Sequence, residues 1–288
     1  MTPSFSDITY FIEVASTLNI TRAAGRLGVT QPTLSAAIKR LEATLGIDLL
    51  VRSKSGVQLT KAGIEFVTKS RQLLLNWDQI KADVLNKRDA ICGEYIIGCH
   101  PSVALYSLSG FLPGLISVNR ELSIKLVHDL SRKITEKVIN FEADFGIVIN
   151  PIKHPELVLK QLCSDEVTFW ESKKPSAMQK DRSVLICDPS LMQTQSLLSH
   201  IAKNNLKFKR YIESSNLEVI ADLTAAGAGI GILPAKVATR IVANNLKRTD
   251  STWPVFKDKL YLVYRADMQQ TTAAKAIAES IKNSFLKT

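Results

Sequence analysis

The sequence predicts an α+β protein in three parts: a helical N-terminal region, one long helix, and a larger α/β region. Up to about residue 88, apolar residues recur at the spacing of amphipathic helices, with one short break. The last part of that stretch carries a single apolar seam, which is typical of a long helix that meets a partner surface. From about Gly93 onward, short β-branched runs alternate with amphipathic helical stretches, as in α/β domains.

The composition predicts a folded protein that attracts polyanions. Apolar residues make up 45% of the 288 residues, and 37 Lys and Arg against 27 Asp and Glu give a net charge of +10. The first residues lack the basic and apolar regions of a secretory signal. The four cysteines form no CxxC pair, which argues against a disulfide framework or a structural zinc site. We therefore expect a cytoplasmic protein that does not enter a membrane.

Two short helices are predicted at the start of the chain. Residues 6–18 follow the i, i+3, i+4, i+7 rule, and Ser6 can cap the free N–H groups of that helix. Asn19 is the expected cap of a second helix over residues 20–27. Gly28 then makes a tight turn, because glycine tolerates positive φ.

A third helix follows the turn. Thr30 caps it, Pro32 lies in the first turn, where a missing N–H leaves no bond unmade, and Gly46 ends it. Its apolar stripe consists of Leu34, Ile38, Leu41 and Leu45. Two helices that meet at a tight turn, the second with a polar face opposite its apolar stripe, form the helix-turn-helix layout. The side chains that can enter a major groove are Gln31, Thr33, Ser35, Ala36 and Lys39.

A β-hairpin and the long helix complete the N-terminal part. Strands at about residues 48–51 and 57–59 form a wing, on which Arg52 and Lys54 can reach the DNA backbone or the minor groove. The long helix over residues 61–87 carries a heptad-like series at Phe66, Ser70, Leu73, Trp77, Ile80 and Val84. We predict that its apolar members Phe66, Leu73, Trp77, Ile80 and Val84 form a dimerisation face.

The remaining residues predict strands and helices in alternation. The expected strands are 94–99, 123–128, 145–149, 166–170, 183–187, 209–213, 231–233 and 259–264. The expected helices are 103–118, 131–140, 189–204, 216–226 and 271–286, and Ser215 with Glu218 is a candidate capping box for the fourth. Such alternation predicts parallel sheets that are covered on both faces.

A long ordered series of residues in the N-terminal part adds a specific signal. It comprises Phe11, Val14, Asn19 to Ala24, Leu27, Thr30 to Ser35, Ile38 to Glu42, Leu45, Gly46, Leu49, Arg52, Leu59, Thr60, Ala62 and Gly63. In order and spacing this series closely resembles the LysR-type transcriptional regulators. Two positions depart from the family pattern. Ala36 and Ala37 replace a polar pair, often Arg-Gln, so a large side chain that reads guanine is missing, and Leu50 replaces a wing phenylalanine.

The resemblance implies sequence-specific binding to double-stranded promoter DNA as a dimer or tetramer, with RNA polymerase as a further possible partner. The target would be an interrupted dyad in A·T-rich DNA. We expect the DNA-binding residues to be Arg22, Thr30, Gln31, Pro32, Thr33, Ser35, Ala36, Lys39, Arg40, Arg52 and Lys54. Thr30 and Gln31 lie at a helix N-terminus, where backbone N–H groups favour a phosphate.

The resemblance also implies a division into domains. A winged helix-turn-helix would span residues 1–60, a linker helix 61–88, and an effector-binding domain 92–288. That domain would be similar to periplasmic binding proteins, with two Rossmann-like subdomains at 92–163 plus 267–288 and at 164–266. The crossovers between them would lie near residues 163–165 and 265–267. A small-molecule effector, often a carboxylate, would bind between the subdomains and modulate promoter binding or DNA bending.

The residues themselves indicate where an effector would bind. Ligands of open α/β sheets lie at the carboxyl ends of strands, against helix N-termini. The residues at such positions are His100, Pro101, Ser102, Ser131, Asn150, Ser214 and Ser215. They offer hydroxyl and amide donors with few cations, which suits a small anion or another polar metabolite. Ser102 matches the family's effector serine, Ser131 is the expected N-cap of its helix, and Asp129 would repel an anion.

Several alternatives remain open from the sequence. Ser102 and Ser131 are also explained as plain helix caps, and Cys99 beside His100 as a redox sensor. The four histidines share no ligand spacing, and the glycines at 227, 229 and 231 fit a helix-to-strand turn better than a nucleotide loop. We expect no metal, no cofactor and no catalysis.

Two other classes of function also remain. A solute-binding protein or an enzyme would rely on the α/β region alone, and a constitutive repressor would have no effector.

Overall fold

The structure is a computed structural model of the chain. It describes residues 3–53, 56–84, 91–174, 183–203, 208–241, 245–266, 268 and 271–286. Contacts divide the chain into two compact units, Met1–Asp89 and Ala90–Thr288.

The first unit contains the predicted helices and hairpin. Its elements are α1 (Phe5–Thr17), α2 (Ile20–Leu27), α3 (Gln31–Leu45), β1 (Leu50–Ser53), β2 (Gly56–Leu59) and α4 (Lys61–Val84). The two strands pair antiparallel, with Leu50 opposite Leu59. The wing strands and the long helix are therefore confirmed as elements, with small shifts in their bounds. Residues 85–87 of the predicted long helix lie outside the described residues.

The caps of α2 and α3 are as predicted, whereas the cap of α1 is not. Asn19 accepts from the Arg22 N–H, and Gly28 adopts a φ of 66°. For α1 the prediction of Ser6 was wrong. Ser4 is the N-cap, because its hydroxyl accepts from the Asp7 N–H while the Asp7 carboxylate accepts from the Ser4 N–H.

An apolar core joins the helices of the first unit. Phe11 of α1 and Leu34 and Leu41 of α3 are fully buried in one cluster. The start of α4 approaches the wing closely at Gly63, where a Cβ atom would lie 2.1 Å from the Leu49 carbonyl oxygen. Only glycine fits this position, and the contact fixes the entry of α4 against the hairpin.

The second unit alternates strands and helices. Its first lobe contains β3 (Gly93–Cys99), α5 (Pro101–Ser107), a 3₁₀ turn (Leu108–Gly110), α6 (Leu112–Val118), β4 (Leu122–His128), α7 (Ser131–Ile139) and β5 (Phe145–Ile149). After the long strand β6 (Leu157–Ser172), the second lobe contains β7 (Val184–Cys187), α8 (Met192–Lys203), β8 (Arg210–Glu213), α9 (Leu217–Ala225), β9 (Ile230–Pro234), α10 (Ala235–Ile241) and β10 (Leu246–Arg248). The chain then ends with β11 (Phe256–Arg265) and α11 (Thr272–Leu286).

The strands form one mixed sheet in the order β4-β3-β5-β11-β6-β9-β7-β8, with β10 on β6. Pairing is parallel within β4-β3-β5 and within β9-β7-β8. It is antiparallel wherever β6 or β11 takes part. The prediction of purely parallel sheets was therefore wrong, because two long strands return through the middle and join the two parallel groups.

The second crossover was also misplaced in the prediction. The register of β11 against β6 shifts between Leu260 and Tyr261, and residues 260–264 already pair with β5 of the first lobe. The passage between the lobes therefore lies near Leu260 and not at residues 265–267, of which Asp267 is outside the described residues. At the first predicted crossover, residues 163–165, the chain continues as part of the 16-residue strand β6.

Three other elements differ from prediction. The expected helix 103–118 is broken into α5, the 3₁₀ turn and α6, because Pro113 in the first turn of α6 has no N–H to continue a helix through it. The short elements α10 and β10 were not predicted.

No single helix among the described residues is long and apolar enough to cross a membrane, although the bent pair Pro101–Gly110 and Leu112–Val118 passes that test together.

Candidate nucleic-acid interface and ligand cavity

The outer face of α3 carries most of the predicted base-reading side chains. Exposed positions are Gln31, Pro32, Thr33, Ala36 and Lys39, and Ser35 is half-buried. Ala37 is fully buried in the first unit. Of the two alanines that depart from the family pattern, only Ala36 therefore lies on the outer face.

The N-terminus of α3 is held by two threonines. Thr30 Oγ1 accepts from the Thr33 N–H at 3.3 Å and lies 2.8 Å from Thr33 Oγ1. The two hydroxyl groups therefore contact each other as well as the helix end. This pairing fixes the first turn, where Gln31 and Pro32 are exposed.

Two of the cationic residues that were predicted to bind DNA lie on the same side of the first unit. Lys39 of α3 and Arg52 of β1 line the same shallow depression between helix and hairpin. Glu42 holds this arrangement, because its Oε1 accepts from the N–H groups of Leu49 and Leu50 at 2.9 and 3.1 Å. Arg22 is exposed on α2, and Lys54 lies outside the described residues.

Arg40, also predicted to bind DNA, is engaged within the unit. Its Nη2 lies 2.5 Å from Asp7 Oδ1. Burial acts to raise the pKa of Asp7, but the hydrogen bonds from Arg40 and Ser4 and the charge of Arg40 outweigh it, so the pKa lies below its ordinary 3.8. Asp7 in turn raises the pKa of Arg40 by its hydrogen bond and charge.

The predicted dimerisation residues separate into two groups. Leu73, Trp77 and Ile80 are exposed along α4, and the Trp77 ring lies 5.4 Å from the Phe5 ring. Phe66 is different, because it packs edge-on against Phe11, again at 5.4 Å between centroids. Phe66 is therefore partly buried within the first unit, and its part in a dimer contact stays a prediction. The side chain of Val84 is outside the described residues.

A cavity of about 730 Å³ lies in the second unit. Four of the predicted effector residues line it, namely His100, Ser102, Ser131 and Asn150. Pro101, Ser214 and Ser215 are not among its described lining residues, and their part in an effector site stays a prediction. Ser215 does not cap α9 either, because Asn216 Oδ1 accepts from the N–H groups of Glu218 and Val219.

Ser102 is buried in the wall of this cavity with an unused hydroxyl group. The residue is 2% exposed, and its Oγ has no hydrogen-bond partner among the described residues. It is not the helix cap, because His100 Nδ1 accepts from the Ser102 N–H at 3.2 Å. Burial lowers the pKa of His100, which favours the neutral imidazole that this bond requires.

Ser131 and Asn150 have structural partners beside the cavity. Ser131 was predicted as an N-cap, but its Oγ accepts from the Ile149 N–H at 3.0 Å and ties α7 to the end of β5. Asn150 donates to Asp258 Oδ1 at 2.7 Å and accepts from the Lys259 N–H at 3.0 Å. Both ends of the Asn150 amide therefore bind β11.

Two carboxyl groups in the cavity wall were missed from the sequence. Asp165 of β6 lies opposite Asp258 of β11 in the antiparallel register, and the residues are 8% and 2% exposed. Burial raises the pKa of Asp258 to about 6, against hydrogen bonds from Gln193 and Asn150. Burial also raises the pKa of Asp165. Each aspartate directly precedes a predicted strand, at residues 166–170 and 259–264, and that position was the only sequence signal for this pair.

The redox and metal alternatives find little support in the geometry. Cys99 is fully buried, and burial raises its pKa to about 12, so the reactive thiolate is scarce at neutral pH. Its Sγ lies 3.8 Å from His128 Nδ1. Within the described part of the chain, no group of three or more His, Cys, Asp or Glu side chains is arranged to hold a metal ion.

Comparison with known proteins matches each of the two units to a described family. Residues 5–64 match the family described as bacterial regulatory helix-turn-helix protein, lysR family, and residues 88–286 match the LysR substrate binding domain. The HTH-type transcriptional regulator BbuR of Bordetella bronchiseptica is 26% identical over 249 residues, which cover 83% of this chain and 77% of BbuR.

Solved structures share the fold. A full-length OxyR variant from Pseudomonas aeruginosa has a TM-score of 0.71 at 21% identity and is matched over 99% of this chain and 98% of its own. Full-length CbnR in complex with its target DNA has a TM-score of 0.52 at 22% identity, over 98% and 99% of the two chains.

Proposed function

The chain belongs to the LysR family of bacterial transcriptional regulators, and from this premise we propose which residues perform its two tasks. It is a DNA-binding transcriptional regulator with a helix-turn-helix and an effector-binding domain, and it is not an enzyme. We propose the residues that contact DNA, the site and class of the effector, the oligomeric assembly and the cytoplasmic location.

In the proposed DNA complex, α3 enters the major groove of a promoter. Gln31, Thr33 and Ser35 contact base edges, since their side chains are short and lie on or beside the exposed face. Lys39 and Arg52 contact phosphates of one strand, which is supported by their position on the same depression. CbnR, which has the same fold, was solved on its target DNA.

We assign residues 1–60 to the winged helix-turn-helix and 61–88 to a linker and dimerisation helix, with the effector domain at 92–288. The exposed apolar residues Leu73, Trp77 and Ile80 support a dimer through α4, and two dimers would form the tetramer. In the effector domain, the observed register supports a second subdomain over about 164–259.

The effector site is the cavity of the second unit, and the observation that carries this proposal is the buried, unpartnered hydroxyl of Ser102. A buried donor without a partner is unfavourable, so a ligand oxygen at this position gains a hydrogen bond that the described residues do not supply. Effector binding shifts the population toward one arrangement of the two lobes, and RNA polymerase at the promoter responds to the resulting DNA geometry.

Gel retardation tests the DNA-binding half of the proposal. The full chain should retard the DNA segment upstream of its own gene at low salt, against an excess of an unrelated fragment of equal length. Ala36→Glu places a negative charge on the exposed face of α3 and should abolish the band without changing the unfolding temperature. Absence of a retarded band with folded wild-type protein would refute the proposal.

A further inference from the structure

The charges that line the cavity do not balance. Arg132 and Glu136 form an ion pair at 3.1 Å and cancel each other near the surface. His100 is half-buried and accepts from the Ser102 N–H, and burial lowers its pKa, which favours the neutral imidazole. His154 is a second imidazole in the lining. Deeper in the wall, Asp165 and Asp258 remain as two carboxyl groups on adjacent strands.

The donors that these carboxyl groups receive are uncharged. Asp258 accepts from Asn150 Nδ2 and from Gln193 Nε2, the latter at 3.0 and 3.2 Å to its two oxygens. Asp165 accepts from the backbone N–H groups of Glu166 and Lys236. Burial raises the pKa of Asp165 and outweighs the charge of Lys236, which acts to lower it, and the Lys236 Nζ lies 5.9 Å from the ring centre of Tyr106. No described Lys or Arg side chain forms an ion pair with either carboxyl group.

Two neighbouring carboxyl groups in a buried part of the wall favour a cation. Each negative charge repels the other, and neither is fully compensated by amide donors in a site of low dielectric. A cation from outside the chain would relieve both. The same cavity holds the unused hydroxyl of Ser102, which is an independent sign that a ligand completes this wall.

We propose that the effector carries a protonated amine or guanidinium group that lies between Asp165 and Asp258, and that an oxygen of the same molecule accepts from the Ser102 hydroxyl. This inference rests on the proposed function, namely that the cavity is the effector site. The body of the effector is aliphatic, because Ile149, Val167 and Ile232 contribute apolar wall. The class is therefore a small amine or guanidine metabolite and not a simple carboxylate.

Isosteric pairs of compounds test the charge requirement. Thermal unfolding and calorimetric titration of the full chain would compare 4-aminobutan-1-ol with 1-pentanol, 4-aminobutanamide with pentanamide, and 4-guanidinobutanamide with 4-ureidobutanamide, since each pair keeps an oxygen and only the first member carries a cation. At least one cationic member should raise the unfolding temperature and bind, while its neutral isostere does not. The neutral variants Asp165→Asn and Asp258→Asn should each weaken that binding by about tenfold or more, since each removes a charge-assisted hydrogen bond.

The possible results separate this inference from the function beneath it. Equal binding of both members of a pair, unchanged affinity in both Asn variants, or binding of none of the cationic compounds at 10 mM concentration would overturn the amine assignment. Both variants should still retard promoter DNA. A carboxylate or neutral metabolite that binds and requires Ser102 would leave the effector site intact and refute only the cation, whereas loss of DNA binding by the wild type refutes the regulator itself.

Discussion

The Arg40 guanidinium group donates to both carboxylate oxygens of Asp7, at 2.5 Å from Nη2 to Oδ1 and at 3.4 Å from Nε to Oδ2. Asp7 is buried, belongs to the N-terminal capping box of α1, and has Arg40 of α3 as its charged partner. The pair therefore fixes α1 against the helix that we place in the major groove. A residue predicted to contact DNA is thus also a structural residue.

Replacement of Arg40 by Met should destabilise the first unit by leaving a buried carboxylate without its cation. The unfolding temperature should fall at pH 7. The pKa of Asp7 is lower in the folded state than its ordinary 3.8, so the stability that the pair supplies is present above that value and is lost as the pH falls below it. The difference between wild type and Arg40→Met in urea unfolding should therefore shrink between pH 7 and pH 3. Weaker DNA binding with unchanged stability would instead make Arg40 a simple phosphate contact.

Lys39→Ala and Arg52→Ala should each weaken DNA binding similarly on all sequences. Each replacement removes one phosphate contact, so the slope of log K against log salt concentration should become shallower by about 1. Fluorescence anisotropy over a range of salt concentrations measures this slope. Lys275→Ala, at an exposed position on α11, is the control with the same change in net charge. An equal effect of all three variants would show that only the net charge matters.

Ile80→Asp should dissociate the protein into smaller species, because it places a charge in the exposed apolar face of α4. Ile64→Asp is the matched control, since Ile64 is exposed to 56% and Ile80 to 51% on the same helix. The offset of 16 positions between them places the two side chains on nearly opposite faces of the helix. Light scattering after size-exclusion chromatography gives the mass of each variant. If both variants assemble like the wild type, α4 is not the dimerisation element.

Ser102→Ala should leave the free protein as stable as before, or more stable by about 1 kcal/mol, because it removes a buried hydroxyl without a partner. Effector-induced stabilisation should be lost at the same time. Ser107→Ala is the matched control on α5, where the buried Ser107 hydroxyl donates to the Val103 carbonyl at 2.7 Å. That variant should lose stability and keep effector binding. The opposite pattern in the two variants would place the ligand elsewhere.

Asp144→Asn should stabilise the second unit at pH 7. Burial raises the pKa of Asp144 to about 6, so its ionised form opposes folding above that pH, and stability rises as the pH falls through 6. The amide still accepts from the Ile96 N–H, which now binds Asp144 Oδ2 at 2.7 Å. We expect a gain of roughly 1–2 kcal/mol at pH 7 that shrinks toward pH 4. Calorimetry at several pH values measures this gain in stability, and Glu279→Gln at an exposed position on α11 is the control. A gain that does not depend on pH would show that the ionised carboxylate of Asp144 is not its cause.

The N-terminal unit was largely predictable because its signals are local. Caps such as Asn19 and Thr30 and the turn at Gly28 act on neighbouring residues, so the sequence indicates where helices begin and end. The cap at Ser4 was missed because serine is favoured at the N-cap position and both Ser4 and Ser6 stand at the start of the helix. Ser4 is the one at the spacing that lets the carboxylate return its hydrogen bond.

The cavity was predicted only in part because its wall depends on register between distant strands. His100 and Ser102 directly follow a strand, and strand ends are visible in the sequence. Asp165 and Asp258 come together only because β6 and β11 pair in one particular register. The capping prediction for Ser131 failed for a similar reason, since its partner Ile149 belongs to another strand.

The pairing of β6 with β11 also has a topological consequence. The chain leaves the first lobe through Ser164 and returns at Lys259, and these two residues are register partners. Everything between them is therefore an insertion with adjoining ends, as when one folded module is spliced into a hairpin of another. A tight turn in place of residues 165–258 would close that hairpin, so the first lobe needs no second lobe to complete its own strand pairing.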